Sequence, residues 1–174
     1  MTDKRKGFTL IELMVVIVII GLLASFLLPQ VMNSMRRSRV LGCATNLGKL
    51  WQLQTMYMAQ FGGSMKIMSP TTGSEFWEML SKTTPPLIDP DDRKLFLCPV
   101  KGEGIEGDIQ YYGPGASVNR LAGADPVGCD DPENHMEGTT DTGSGNVLRK
   151  KGDVLELSGA DWTNMLNNKF PPKR

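Results

Sequence analysis

Between Phe8 and Leu28 the chain carries only three polar side chains, Thr9, Glu12 and Ser25. At 1.5 Å per residue, a helix of about twenty residues spans roughly 30 Å, the thickness of bilayer hydrocarbon. All faces of that helix are apolar and the run is terminal, which favours a lipid-embedded segment over the buried helix of a soluble protein. A secretory signal peptide would carry a shorter apolar region and then a small-x-small cleavage site. The stretch LLPQVMNSM that follows the run offers no such site.

One carboxylate, Glu12, interrupts this segment close to its start. An ionised carboxylate in hydrocarbon is costly unless it is paired, so such groups are usually functional. A shallow position with the side chain reaching the headgroups is the alternative. Flanking charge does not decide the orientation, because Lys4, Arg5 and Lys6 on one side are balanced by Arg36, Arg37 and Arg39 on the other.

The stretch KGFTLIEL resembles the N-terminal signature of type IV prepilins and type II secretion pseudopilins. It has a basic leader ending in Gly7, then Phe8, then Glu12 five positions after the junction, with Gly21 and Pro29 where such proteins often carry Gly and Pro. The resemblance implies that a prepilin peptidase in the membrane cuts after Gly7 on the cytoplasmic side and methylates the new amine of Phe8. A residue without a side chain at Gly7 suits entry of an extended leader into a narrow cleft. The resemblance also implies that Glu12 meets the N-terminal amine of an adjacent subunit during filament assembly. The expected location is the bacterial inner membrane as a single pass, N-terminus cytoplasmic and C-terminus periplasmic or extracellular, and then a filament. The expected partners are the prepilin peptidase, identical or related pilin subunits, an inner-membrane assembly platform and membrane lipid.

Pro29 lacks the N–H that continues a helical ladder, so a kink or local loosening is predicted there. Beyond it Val40, Ala44, Leu47, Trp51 and Met58 recur at helical spacing, and FGG (Phe61 to Gly63) reads as a stop. One helix from Phe8 to about Phe61 is predicted. Met56, Met58, Met65 and Met68 read as core filler. Arg36, Arg37 and Arg39 face either anionic groups or solvent.

SEFWEMLSK reads as a short helix with Ser74 as N-cap, and TTPPLIDPDD as a loop. KLFLCPV and IQYYG read as short strands, NVLRKKGDVLEL as a β-hairpin and SGADWTNMLNNKF as a closing helix. The fold class is α+β and pilin-like: a long N-terminal helix, transmembrane then amphipathic, packed on a small antiparallel sheet. The expected divisions are a cleaved leader (1–7), a transmembrane segment (8–28), an amphipathic continuation (29–61) and an α+β head (64–174). FLCPV, YYGPG, DPENH and GNVLRKKGDV also resemble a prepilin-type C-terminal domain whose signature joins a His to an Asp-Gly turn. Here His135 lies further from the hairpin turn than in that pattern, and Lys151-Gly152 stands in place of Asp-Gly.

Three cysteines, Cys43, Cys98 and Cys129, allow three single pairings. In an oxidising compartment the preferred pairing is Cys98 with Cys129, closing about thirty residues for roughly 3–4 kcal/mol, with Cys43 a buried thiol. The alternative is three buried thiols. Cys98, Cys129 and His135 lack the paired short spacings of a zinc site. The acidic loops around Asp89, Asp91 and Asp92, and around Asp130, Asp131, Glu133 and Glu137, fit no defined calcium loop. No metal or cofactor is expected.

His135 is the sole histidine, and no nucleophile elbow, phosphate loop or metal-binding helix occurs, so an enzyme is not expected. With 19 basic and 19 acidic residues the chain lacks the basic excess of a phosphate-binding protein, and nucleic acid is not an expected partner. The expected function is a structural subunit of a type IV pilus or type II secretion pseudopilus. The alternative is a membrane-tethered minor pilin that captures DNA or another ligand through its head.

Overall fold

The computed structural model describes residues 8–60, 73–102, 108–114, 118–132 and 143–170. The chain divides into two units, Met1–Ser38 and Arg39–Arg174. Helix α1 runs through both as one element, Leu10–Gln60, and continues past Pro29.

In the first unit almost every described side chain of α1 is exposed, including Ile17, Leu22 and Phe26. Its most apolar 18-residue window has a mean hydropathy of 2.9 and none of it is buried. An exposed helix that is apolar on every face is a membrane segment by composition and length.

In the second unit the same helix becomes amphipathic. Cys43, Leu47, Leu50, Gln54 and Tyr57 are buried at alternating spacings of four and three, one face of a 3.6-residue period. Leu47 and Trp51 belong to that face as the sequence predicts, while Val40, Ala44 and Met58 are half-buried at its margins. Met56 departs from the prediction, because its position points it outward and leaves it 59% exposed. Met65, Met68 and the FGG stop lie outside the described residues.

The head holds a four-stranded antiparallel sheet in the order β1-β2-β3-β4: Tyr111–Tyr112, Pro126–Asp130, Ser144–Arg149 and Val154–Ser158. The β3–β4 hairpin pairs Ser144 with Ser158 and Leu148 with Val154, as its alternating sequence predicts. The turn is closed at Gly152, whose φ of 96° suits a residue without a Cβ. Helix α2, Glu75–Glu78, continues as a 3-10 turn over Met79–Ser81, and α3 spans Gly159–Lys169. Ser74 stands at the N-cap of α2 without a side-chain cap bond. Its carbonyl accepts from the N–H groups of Trp77 and Glu78.

One strand prediction needs correction, and one strand is unpredicted. KLFLCPV is not a strand: Pro90–Phe96 forms a 3-10 helix entered through Pro90, and the chain turns at Pro99 and Val100. The fixed φ of Pro90 and the acidic Asp91 and Asp92 suit a helical start. Conversely, PVGCD is a strand to which the sequence reading assigns no element. Pro126 can stand there because it opens the strand beside an irregularity between Pro126 and Gly128.

The sheet is covered on both faces. On one, Leu148 and Val127 join Leu47 and Leu50 of α1 with Trp77 and Phe96. On the other, Cys129 and Val147 meet Trp162 of α3 and Phe170. The second face works only because β3 has no side chain at Gly145, where a Cβ would lie 2.5 Å from Trp162 Cη2. Gly145→Val is therefore expected to force Trp162 aside and cost about 1–3 kcal/mol. Chemical denaturation of the full chain in detergent micelles measures this, and an unchanged midpoint refutes the close approach.

Candidate functional site

Two groups of residues bear on function, one at the start of α1 and one inside the head.

At the start of α1, Gly7 lies outside the described residues, and Phe8 is 76% exposed. Thr9 and Glu12 form a reciprocal cap. The backbone N–H of Thr9 and its hydroxyl donate to Glu12 Oε2 at 2.9 and 2.7 Å, and the Glu12 N–H reaches Thr9 Oγ1 at 3.4 Å. This is a capping box, which satisfies N–H groups that a helix start leaves unpaired. The signal was present in the sequence as Thr9-Leu10-Ile11-Glu12. Further along, Pro29 cannot donate to the Ser25 carbonyl one turn back, and the Ser25 hydroxyl donates to the Leu22 carbonyl at 2.7 Å.

The head contains the larger surprise. Cys98 is bonded to Cys43 on α1, with Cα atoms 5.1 Å apart, and Cys129 is a buried free thiol. The predicted Cys98–Cys129 pairing is thus incorrect. Successive residues of a strand point to opposite faces, and Cys129 belongs to the α3 side with Trp162. Cys98 lies on the α1 side, because the segment around it docks along that helix. The Asn46 amide donates to the Leu97 carbonyl at 3.1 Å, and the Tyr111 hydroxyl donates to the same carbonyl at 3.2 Å. The Cys98 N–H is taken by the Gln110 side chain at 2.7 Å.

Asp130 follows Cys129 and so points to the α1 side. It is not the exposed loop acid that the sequence suggests, since it ends β2 and is fully buried. Its Oδ2 accepts from the Asn146 N–H and from Asn146 Nδ2, both at 2.8 Å, and Nδ2 also donates to the Val40 carbonyl at 3.1 Å. A carboxyl oxygen of Asp130 and the sulfurs of Cys43 and Cys98 lie within 4.8 Å of one another.

Burial pushes the Asp130 carboxyl up to about 7, against the lowering effect of the Asn146 bonds and with help from the charges of Asp131 and Glu156. Burial, with the Asp130 charge second, also raises the Tyr111 phenol. Burial raises the Cys129 thiol. Neither Asp130 nor Asn146 was visible as a pair in the sequence, where they stand sixteen residues apart.

Of the other acids named from sequence, Asp89 stands at the N-cap of the 3-10 helix without a side-chain cap bond, and Asp91 and Asp92 occupy its first turn. Glu133, His135 and Glu137 lie outside the described residues. The trio Cys98, Cys129 and His135 is not assembled as far as it is described, since the two cysteines face opposite sides of the sheet.

Comparison with known proteins agrees with the geometry. The prokaryotic N-terminal methylation motif matches residues 2–28. The type II secretion system core protein G of Escherichia coli K12 is 30% identical over 115 residues, covering 66% of this chain and 76% of that protein. The core protein G of Vibrio cholerae is 29% identical over 116 residues, covering 64% and 73%. The type IV major fimbrial protein FimA of Dichelobacter nodosus is 46% identical over 50 residues, which is 29% of this chain and 32% of FimA. No solved structure matches the chain. With an apolar anchor helix near its N-terminus, a small antiparallel head and a relative matched over three quarters of its length, the chain belongs to the type IV prepilin and type II secretion pseudopilin family.

Proposed function

We propose that this chain is a structural subunit that is processed after Gly7, methylated at Phe8 and polymerised through α1 into a type IV pilus or type II secretion pseudopilus. The observation that carries the proposal is the helix start: a basic leader, a Gly7–Phe8 junction and a carboxylate at Glu12, at the head of a helix that is apolar on every face. Cleavage creates a cation at Phe8, about one helical turn from Glu12. In hydrocarbon a carboxylate gains strongly from such a partner. Helix packing between subunits and this pairing supply the association energy. Lipid is the partner of the stored subunit, and an inner-membrane platform is the partner during extraction. Pro29 adds a local loosening of α1, because the Ser25 carbonyl loses its usual donor.

The Cys43–Cys98 disulfide supports an oxidising compartment for the head, and hence a cytoplasmic N-terminus and a periplasmic or extracellular C-terminus. The match to the core protein G of Escherichia coli, 115 residues long, is longer than the 51-residue helix and so includes part of the head, whereas the FimA match is only 50 residues. That difference supports the secretion pseudopilus over the pilus. The relatives are structural subunits, which supports a chain without enzymatic activity and does not favour the ligand-capturing alternative.

Glu12→Gln tests the assembly role. The variant keeps its apolar helix and is expected to insert normally, while its incorporation into sedimentable filaments drops at least about tenfold, the loss of one charged pair in a low-dielectric medium. Normal filaments from inserted Glu12→Gln protein would refute the role. Intact-mass measurement of the mature subunit tests the cleavage, which is wrong if residues 1–7 remain attached in cells that contain the peptidase.

A further inference from the structure

The polar cluster inside the head joins a carboxyl group to two sulfurs in a closed interior. We infer that Asp130 is the proton acceptor and donor that drives closure and reopening of the Cys43–Cys98 disulfide.

Three features carry the inference. A carboxyl oxygen of Asp130 and both sulfurs lie within 4.8 Å of one another, a separation that a small side-chain movement closes. Cys43, Cys98 and Asp130 are each fully buried, so bulk hydroxide and buffer reach the thiols only during local opening of the head. The carboxyl is held in place by two hydrogen bonds from Asn146, which is itself tied to the α1 backbone at Val40. A buried thiol resists ionisation, because desolvation disfavours the thiolate, and the thiolate is the attacking species. A local base is therefore required inside this head. The carboxyl, raised to about 7, is ionised to a useful extent near neutral pH and is a far stronger base than an ordinary aspartate.

The reaction balances as follows. The reduced chain carries two thiols, and the oxidant is a small-molecule or protein disulfide, R–S–S–R′. During local opening of the head one cysteine gives up its proton to water, and its thiolate attacks the oxidant, forms a mixed disulfide and expels R–S⁻, which takes up that proton as R–SH. The Asp130 carboxylate then takes the proton from the second cysteine. The resulting thiolate attacks the sulfur of the mixed disulfide, forms the Cys43–Cys98 bond and expels R′–S⁻, which takes up the proton from Asp130. The protein loses two hydrogens and two electrons, and the oxidant becomes two thiols. Reduction by a dithiol follows the same steps in reverse, with Asp130 protonating the leaving cysteine.

The groups that face Asp130 are the Tyr111 phenol of β1, the Glu156 carboxylate of β4 and, beside it on the chain, Asp131. Asp131 and Glu156 are acidic and favour the protonated carboxyl, while Asn146 favours the ionised one.

The test uses the full-length chain in detergent micelles, reduced and then mixed with oxidised glutathione. Acid quenching and peptide mass mapping follow conversion of the Cys43 or Cys98 glutathione adduct to the Cys43–Cys98 peptide, and separate it from any adduct at Cys129. In the wild type the closure rate is expected to rise through an inflection near pH 7. In Asp130→Asn closure at neutral pH is expected to slow by about a hundredfold and to follow hydroxide without that inflection, since general base catalysis is worth at least that factor. Asn146→Ala should keep the base and move the inflection upward, because it removes the Nδ2 bond that favours the carboxylate while the backbone N–H at position 146 stays. Equal rates and pH profiles in wild type and Asp130→Asn would overturn the assignment. If Asp130→Asn fails to fold, the wild-type profile decides: a rate that tracks an ordinary thiol with no inflection near neutrality also overturns it.

Discussion

Cys43→Ser is expected to lower the unfolding free energy of the head by about 4 kcal/mol. The bridge closes a 55-residue separation, and the chain-entropy relation gives roughly that value for a loop of such length. It joins α1 directly to the segment before the sheet, so its loss also frees the Asn46–Leu97 and Cys98–Gln110 hydrogen bonds to fray with it. Trp51, Trp77 and Trp162 all lie in the second unit, so tryptophan fluorescence reports on the head alone. Urea titration of the full chain in micelles, oxidised against Cys43→Ser, gives the number. A difference below about 1 kcal/mol would mean that strain or residual structure cancels the entropic gain. Cys129→Ser should leave the bridge intact, and non-reducing peptide mapping should return the Cys43–Cys98 peptide in both the wild type and that variant.

Stability should also fall as pH rises from about 4 to about 7, the opposite of the usual carboxylate trend. Asp130 has an ordinary value of 3.8 when unfolded and about 7 in the folded head. Between those two values the folded state keeps a proton that the unfolded chain has released, so raising the pH favours unfolding. The slope approaches about 1.4 kcal/mol per pH unit within that window and vanishes above it. Burial is the main cause, with Asp131 and Glu156 adding to it and Asn146 opposing it. Asp125 and Asp153 work in the other direction. The Ala122 N–H holds the Asp125 carboxyl below its usual range, and Arg149 does the same for Asp153. Their stabilisation is present above the unfolded value and is lost as pH falls through the folded one, which lies below about pH 4. The two windows are therefore separate. Urea midpoints measured at about pH 5 and about pH 7.5 should fall with pH in the wild type and stay level in Asp130→Asn. A wild-type midpoint that rises over this interval would show that Asp130 is ionised throughout.

Both effects arise from residues whose meaning depends on where α1 lies. A cysteine read only within the head has Cys129 as its natural partner, thirty-one positions away, whereas the true partner is on the helix fifty-five positions earlier. Asp130 and Asp131 read as turn acids because Pro132 follows them, yet both are buried. The capping box at Thr9 and Glu12 shows the opposite case. It is wholly local, four adjacent residues specify it, and its geometry is what those residues dictate.

The amino-acid order alone determined the long apolar helix, its capped start, its amphipathic continuation, the β3–β4 hairpin and the closing helix α3. Each depends on periodicity or on turn chemistry within a few residues, and such local preferences survive without knowledge of the rest of the chain. Only the tertiary structure decided that KLFLCPV ends a 3-10 helix and then turns beside α1, that PVGCD is an inner strand, which cysteines join, and that Asp130 is enclosed with Asn146. Those outcomes depend on which face of the sheet each residue presents to α1 or α3, and a shift of one residue along a strand reverses that choice.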